Sequence, residues 1–225
     1  MESLNLNNIS LNIFDYIKEY EKNTDQSIKN PYVEDLKKII FQDKPESEKI
    51  EILENKRSSL IEKYSFSVPF DYILDILVKY SPLTEIGAGT GYFGYCLKQK
   101  GADFEAFDLY SPDDTDPFDF MSFNSWFEDT WINVLSGDED TVRSCSERTL
   151  FLCWPPPDSP MAFNALKVYE KVKGGTLIYI GDPVSSADKN FFKRLKMHEK
   201  KLDLKIPSWK NINERMMIYS IKENI

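Results

Sequence analysis

Three glycines and two acids fall in this 225-residue chain where they could hold a nucleoside. The run Leu83-Thr84-Glu85-Ile86 reads as a short apolar strand, and it passes directly into Gly87-Ala88-Gly89-Thr90-Gly91. Glycines permit a tight turn and a close backbone approach, and a helix beginning at Tyr92 would point free N–H groups at whatever lies there. A second apolar run, Phe104-Glu105-Ala106-Phe107, ends in Asp108, 17 residues beyond Gly91. An acid at the end of the second strand is placed to accept both hydroxyls of a ribose. Register separates two kinds of nucleoside ligand. A nicotinamide fingerprint, G-x-G-x-x-G from Gly87, would need glycine where Tyr92 stands. Starting it at Gly89 reaches Gly91 and Gly94, but runs the strand through Gly87-Ala88, a poor strand end. The pattern that fits is E-x-G-x-G-x-G, with Glu85 leading it. A second constellation is Cys153-Trp154-Pro155-Pro156-Pro157-Asp158, where the prolines stiffen a strand exit and leave carbonyls without neighbouring N–H partners.

The elements that must position these residues change character along the chain. Residues 1–80 read as helices: Leu11 to Tyr20, a segment opened by the Asn30-Pro31 cap, a longer run from Pro45 to about Tyr64, and one after Ser67-Val68-Pro69. Ile50, Leu53, Leu60 and Ile61 mark the inner side of the third, and Tyr72, Ile73, Ile76 and Leu77 that of the fourth. From Pro82 onward short apolar runs alternate with helical stretches. The expected strands are Leu83–Ile86, Phe104–Phe107, Trp131–Leu135, Thr149–Trp154, Thr176–Ile180, about Leu202–Ile206 and Met216–Ile221. Helices are expected after the first, fourth and fifth. That alternation implies a mainly parallel sheet covered on both faces, with the last two strands as an antiparallel hairpin. The fold expected is α/β, with a helical extension over 1–80 and the sheet domain over 81–225.

Composition narrows the chemistry. The chain carries 28 Lys and Arg against 37 Asp and Glu, a net charge of −9. Residues 101–140 hold twelve acids and no base, and only five arginines occur throughout, which disfavours nucleic acid as a substrate. Lys189, Lys193, Arg194, Lys196, Lys200, Lys201 and Lys205 gather around one expected helix, read as a solvated face or as a docking patch for an acidic partner. One histidine, His198 in that same helix, and three scattered cysteines leave no metal cluster or disulfide framework to expect. No 18-residue apolar stretch and no leader pattern is visible, so the expectation is a cytoplasmic protein with no membrane span.

On the E-x-G-x-G-x-G run and the spacing of the strands after it, residues 64–222 resemble class I S-adenosylmethionine-dependent methyltransferases. The Trp154-Pro155-Pro156 corner is further similar to an uncharacterised methyltransferase-like group with a Trp-Pro-Pro signature. The resemblance implies a Rossmann-like seven-stranded sheet, S-adenosylmethionine held by Glu85, Gly87, Gly89, Gly91 and Asp108, and Asp138 accepting from the adenine amino group. It implies that Tyr64-Ser65-Phe66-Ser67-Val68-Pro69 crosses the cofactor pocket, and that Trp154, Pro155 and Pro156 form the catalytic corner. In amino-directed members that corner reads Asn/Asp/Ser-Pro-Pro-aromatic; here Trp154 takes the polar position and Pro157 the aromatic one. Tyr92 and Phe66 are candidates to cage a cation, and Asp158 and Asp182 to act as a base toward a hydroxyl acceptor. The expected activity is methyl transfer to a small molecule or protein. The alternatives are a methyltransferase-like module that binds without chemistry and, less well supported, a nicotinamide-dependent oxidoreductase.

Overall fold

A computed structural model describes residues 12–22, 27–110, 127 and 129–222. The first helix, α1, spans Ile13–Tyr16 and widens into a π-helical stretch over Ile17–Glu21. Leu11, where the first helix is expected to begin, lies outside the described residues. Helix α2 covers Pro31–Ile40, with proline in its first turn and the Asn30 side chain accepting from Val33 N–H. Helices α3 (Glu46–Lys63) and α4 (Asp71–Leu77) follow. Leu53, Leu60 and Ile61 are buried on α3, whereas Ile50 is exposed, contrary to the expected stripe. On α4 the inner side holds Tyr72, Ile73, Leu74 and Leu77, with Leu74 in place of Ile76.

Among the described residues the strands form one seven-stranded sheet in the order β3-β2-β1-β4-β5-β7-β6. They are β1 (Leu83–Ile86), β2 (Phe104–Asp108), β3 (Leu135–Ser136), β4 (Thr149–Cys153), β5 (Thr176–Gly181), β6 (Glu199–Lys205) and β7 (Arg215–Ser220). The first five run parallel, and β7 is antiparallel to both β5 and β6. Helices α5 (Tyr92–Gln99), α6 (Met161–Lys171) and α7 (Lys189–Leu195) follow β1, β4 and β5, as the alternation requires. This is the Rossmann-like sheet with a terminal antiparallel hairpin that the sequence implies.

Period-two alternation divides the core between the faces. Phe151, Ile178, Ile180 and Ile218 pack beneath α1–α5, while Leu150, Leu152, Leu177 and Tyr179 pack against α6 and α7. The N-terminal helices therefore share one continuous core with the sheet. Among the described residues no helix is long and apolar enough to cross a membrane.

Two expectations need correction. The third strand is not Trp131–Leu135; only Leu135 and Ser136 pair, with Phe107 and Asp108. Trp131 is drawn off the ladder because its backbone N–H donates to Thr90 O (2.8 Å) and its indole N–H to Lys63 O (2.7 Å). The late basic residues do not share one helix either. Asp188 caps α7, which ends at Leu195, and Lys200, Lys201 and Lys205 lie on β6, where the half-buried Leu202 and Leu204 alternate with exposed neighbours. His198 precedes β6 and is buried, bonded to Glu170 (2.8 Å) and accepting from Lys222 N–H (3.1 Å).

Candidate functional site

The glycine turn sits where β1 gives way to α5, at the carboxyl edge of the sheet. Gly87, Gly89 and Gly91 all have positive φ (76°, 54° and 68°). Gly89 shows why a side chain is excluded: a Cβ there would stand 2.5 Å from the Phe127 ring. Asp108 holds the turn in shape, one carboxylate oxygen accepting from Gly89 N–H (2.8 Å) and the other from Tyr110 N–H (3.0 Å). Thr90 ties the turn to the upstream crossing by donating its hydroxyl to Tyr64 O.

A cavity of about 50 Å³ lies above the turn, lined by Tyr64, Ser65 and Phe66, by Glu85, Gly87 and Gly89, and by Tyr92, Phe127, Cys153 and Trp154. Of the residues expected around a nucleoside, Glu85, Gly87 and Gly89 line this cavity together with the Tyr64–Phe66 crossing and the β4 exit, whereas Gly91, Asp108 and Asp138 do not. Glu85 is buried, and among the described residues one of its carboxyl oxygens has no hydrogen-bond partner. Burial first, and then the neighbouring Asp108 charge, pushes the Glu85 carboxyl well above its ordinary range. Cys153 is pushed up likewise, by burial and then by the Glu85 and Glu214 carboxyls. Tyr92 is fixed rather than free to cage a cation, since its hydroxyl donates to Asn30 Oδ1 (2.8 Å) and accepts from Tyr32 N–H (2.9 Å). Tyr64 stacks between Tyr32 (4.7 Å) and Trp131 (5.4 Å), so an aromatic wall backs the turn.

At the β4 exit Trp154 adopts φ +50°, a left-handed conformation that costs a bulky residue of order 1–3 kcal/mol. Its indole N–H holds it there, donating to Glu214 Oε1 (2.7 Å) and Ser67 Oγ (3.0 Å), while its ring stacks on Phe66 at 5.3 Å. Glu214, just before β7, is buried; burial raises its pKa to about 8 against the lowering effect of the Trp154 bond. Neither Glu214 nor Phe127 is marked by any motif, and both were missed from sequence. The expected free carbonyl at the prolines is not found at Pro155, whose oxygen accepts from Ala187 N–H (2.7 Å). Pro155 is buried and Pro156 exposed.

Other candidate residues stand apart from this cavity. Asp138 is exposed at the end of β3 and caps its own turn by accepting from Asp140 N–H (2.9 Å). Asp182 is buried after β5 and engaged by Val184 N–H (3.0 Å) and the Ser185 hydroxyl (3.1 Å), and Asp158 is exposed.

The donor set suits a nucleoside with a cationic end: a glycine turn for close approach, an acid at the second strand end, and a buried carboxyl oxygen in need of a partner. Space is the condition. About 50 Å³ admits one or two waters, whereas small-molecule sites measure roughly 300–1,000 Å³. Phe127, which also packs edge-on against Phe66 (6.3 Å), must leave Gly89 for such a ligand to enter.

No family model and no curated protein matches the chain. Among solved structures it is similar to magnesium protoporphyrin IX methyltransferase from Synechocystis PCC 6803 with bound SAH, at 10% identity and TM-score 0.45, covering 86% of this chain and 96% of that one. A Streptococcus agalactiae protein of the NADB-Rossmann superfamily shows 13% identity and TM-score 0.43, covering 68% of each chain. The Pyrococcus abyssi tRNA (uracil-54, C5)-methyltransferase in complex with S-adenosyl-L-homocysteine shows 14% identity and TM-score 0.41, covering 67% of this chain but only 37% of its own.

Proposed function

We propose that this chain is an S-adenosylmethionine-dependent methyltransferase acting on a small-molecule or protein acceptor. The observation that carries the reading is the glycine turn, its Gly89 amide held by Asp108, beside the unpartnered buried oxygen of Glu85. When bound, the cofactor supplies a methyl group on a cationic sulfur, so the protein's work is mainly alignment and exclusion of water. Asp108, whose carboxylate accepts from the Gly89 and Tyr110 amides, is assigned the ribose hydroxyls. Glu85 offers its free oxygen to a cationic group, which would favour the ionised form that burial disfavours. Asp138 is assigned the adenine amino group. Trp154, Pro155 and Pro156 form the wall on the acceptor side, with the helical extension over 1–80 closing that side. The Trp-Pro-Pro corner is what would place the chain in the group it resembles.

A second reading, a module that binds without chemistry, is favoured by one specific observation. The position that is polar in amino-directed enzymes is Trp154, and the adjoining Pro155 carbonyl is already taken by Ala187. Incubation with methyl-labelled S-adenosylmethionine and fractionated small-molecule and protein acceptors separates the two. Label in either fraction, lost in Gly89→Val, supports the enzyme. Tight cofactor binding with no label in any fraction supports the module.

A further inference from the structure

Of the large side chains around the cavity over the glycine turn, some are pinned and some can withdraw. Tyr92 is bonded to Asn30 and Tyr32, Tyr64 lies between Tyr32 and Trp131, and Glu85 and Phe93 are buried in β1 and α5. Phe66, Phe127 and Trp154 are only half-buried, so each has a way out to solvent. These three meet in a row. The Phe127 ring covers Gly89 and stands edge-on to Phe66 at 6.3 Å and 89°. Phe66 in turn stacks on Trp154 at 5.3 Å and 20°.

The same two places are joined a second time, along the backbone. Thr90, inside the glycine turn, donates its hydroxyl to Tyr64 O. The Ser65 hydroxyl donates to Ser67 O (2.6 Å), and Ser67 Oγ accepts from the Trp154 indole N–H (3.0 Å). Residues 64–67 therefore run from the glycine turn to the Trp154 corner. Within that span Phe66 is the ring that meets both the cover of Gly89 and the corner.

Volume decides whether Phe66 takes part when a ligand enters. The cavity measures about 50 Å³, and a small-molecule site needs at least roughly 300 Å³. Withdrawing one large side chain from a packed interior opens on the order of 150 Å³. Phe127 alone therefore leaves the space short, and the next wall able to yield is Phe66. Its ring cannot leave without unstacking from Trp154. Trp154 holds φ +50°, a conformation that lasts only while its surroundings over-determine it. The Phe66 stack is one of the contacts that do so, beside the indole bonds to Glu214 and Ser67.

We propose that Phe66 is a positioning residue that couples the glycine turn to the Trp154 corner: a ligand seated on the turn displaces Phe66 together with Phe127 and so releases the Trp154 stack. This rests on the reading of the turn as a nucleoside site, and the test separates the two. The readout is hydrogen exchange at the Trp154 indole N–H in the full chain, followed by NMR. Loss of the resonance in Trp154→Phe identifies it, and the buried Trp209 indole serves as internal reference. Saturating S-adenosylhomocysteine should speed exchange at Trp154 about tenfold and leave Trp209 unchanged. Phe127→Ala, which loosens Phe66 with no ligand present, should speed it by a similar factor. In Phe66→Ala, neither the ligand nor added Phe127→Ala should change Trp154 further. Phe66→Tyr, which keeps a ring on Trp154, should restore the response. Exchange at Trp154 that is indifferent to Phe127→Ala overturns the coupling, whether or not a nucleoside binds. So does calorimetric binding of S-adenosylhomocysteine that leaves Trp154 unmoved, or a response that persists in a folded Phe66→Ala. Calorimetric silence alongside faster exchange in Phe127→Ala supports the coupling and removes the nucleoside reading instead.

Discussion

Trp154 and Glu214 show how much of the site depends on one hydrogen bond. Trp154 keeps a left-handed backbone because its indole N–H is held between Glu214 and Ser67. Burial keeps the Glu214 proton on to about pH 8, against an ordinary 4.5. Between those limits the folded chain binds a proton that the unfolded chain has released. The stability from this residue is therefore full below about pH 4.5 and falls as pH rises to about 8, by on the order of 5 kcal/mol at most. Glu214→Gln should flatten that slope in urea titrations from pH 5 to 9 while keeping an acceptor for the indole. In the wild type the Trp154 indole proton resonance should titrate near pH 8, and in Glu214→Gln it should not. At the glycine turn, Phe127→Ala should open the cavity over Gly89 and strengthen S-adenosylmethionine binding by about tenfold, roughly 1.4 kcal/mol. An unchanged affinity would remove Phe127 from the account.

At the scale of elements, Asn30 joins the helical extension to the sheet domain. Its side chain accepts from Val33 N–H and the Tyr92 hydroxyl and donates to Pro69 O (2.8 Å), linking α2, α5 and the approach to α4. Asn30→Ala leaves those buried groups unpaired and should cost about 2–3 kcal/mol, read as a lower urea midpoint with an unchanged slope. This cap was legible in the sequence because Asn-Pro before an apolar period is a local signal. Strand β1 and its turn were legible for the same reason: Thr84-Glu85-Ile86 and three glycines carry their geometry within a few residues. Strand β3 was not, because the apolar run from Trp131 is used to cover Thr90 and Tyr64 instead of pairing in the sheet. Strand β6 was expected over about Leu202–Ile206, but its start at Glu199 was hidden by lysines that suit a helix as well as an edge strand. The Trp154–Glu214 bond spans 60 residues, so no local pattern could announce it.

Across the whole molecule, one sheet separates two different surfaces. The face under α1–α5, with the carboxyl edge above it, holds the glycine turn, the buried carboxyls and the aromatic wall. The face beyond α7 carries Lys189, Lys193 and Lys196. The central claim concerns the first of these, and calorimetric titration with S-adenosylmethionine, S-adenosylhomocysteine and NAD tests it most directly. Measurements on wild type, Phe127→Ala and Gly89→Val keep a closed cavity from masking the result. The account predicts near 1:1 binding of the two sulfur nucleosides and none of NAD, with binding lost in a folded Gly89→Val. Heat with NAD alone, or none with either sulfur nucleoside even in Phe127→Ala, would contradict it.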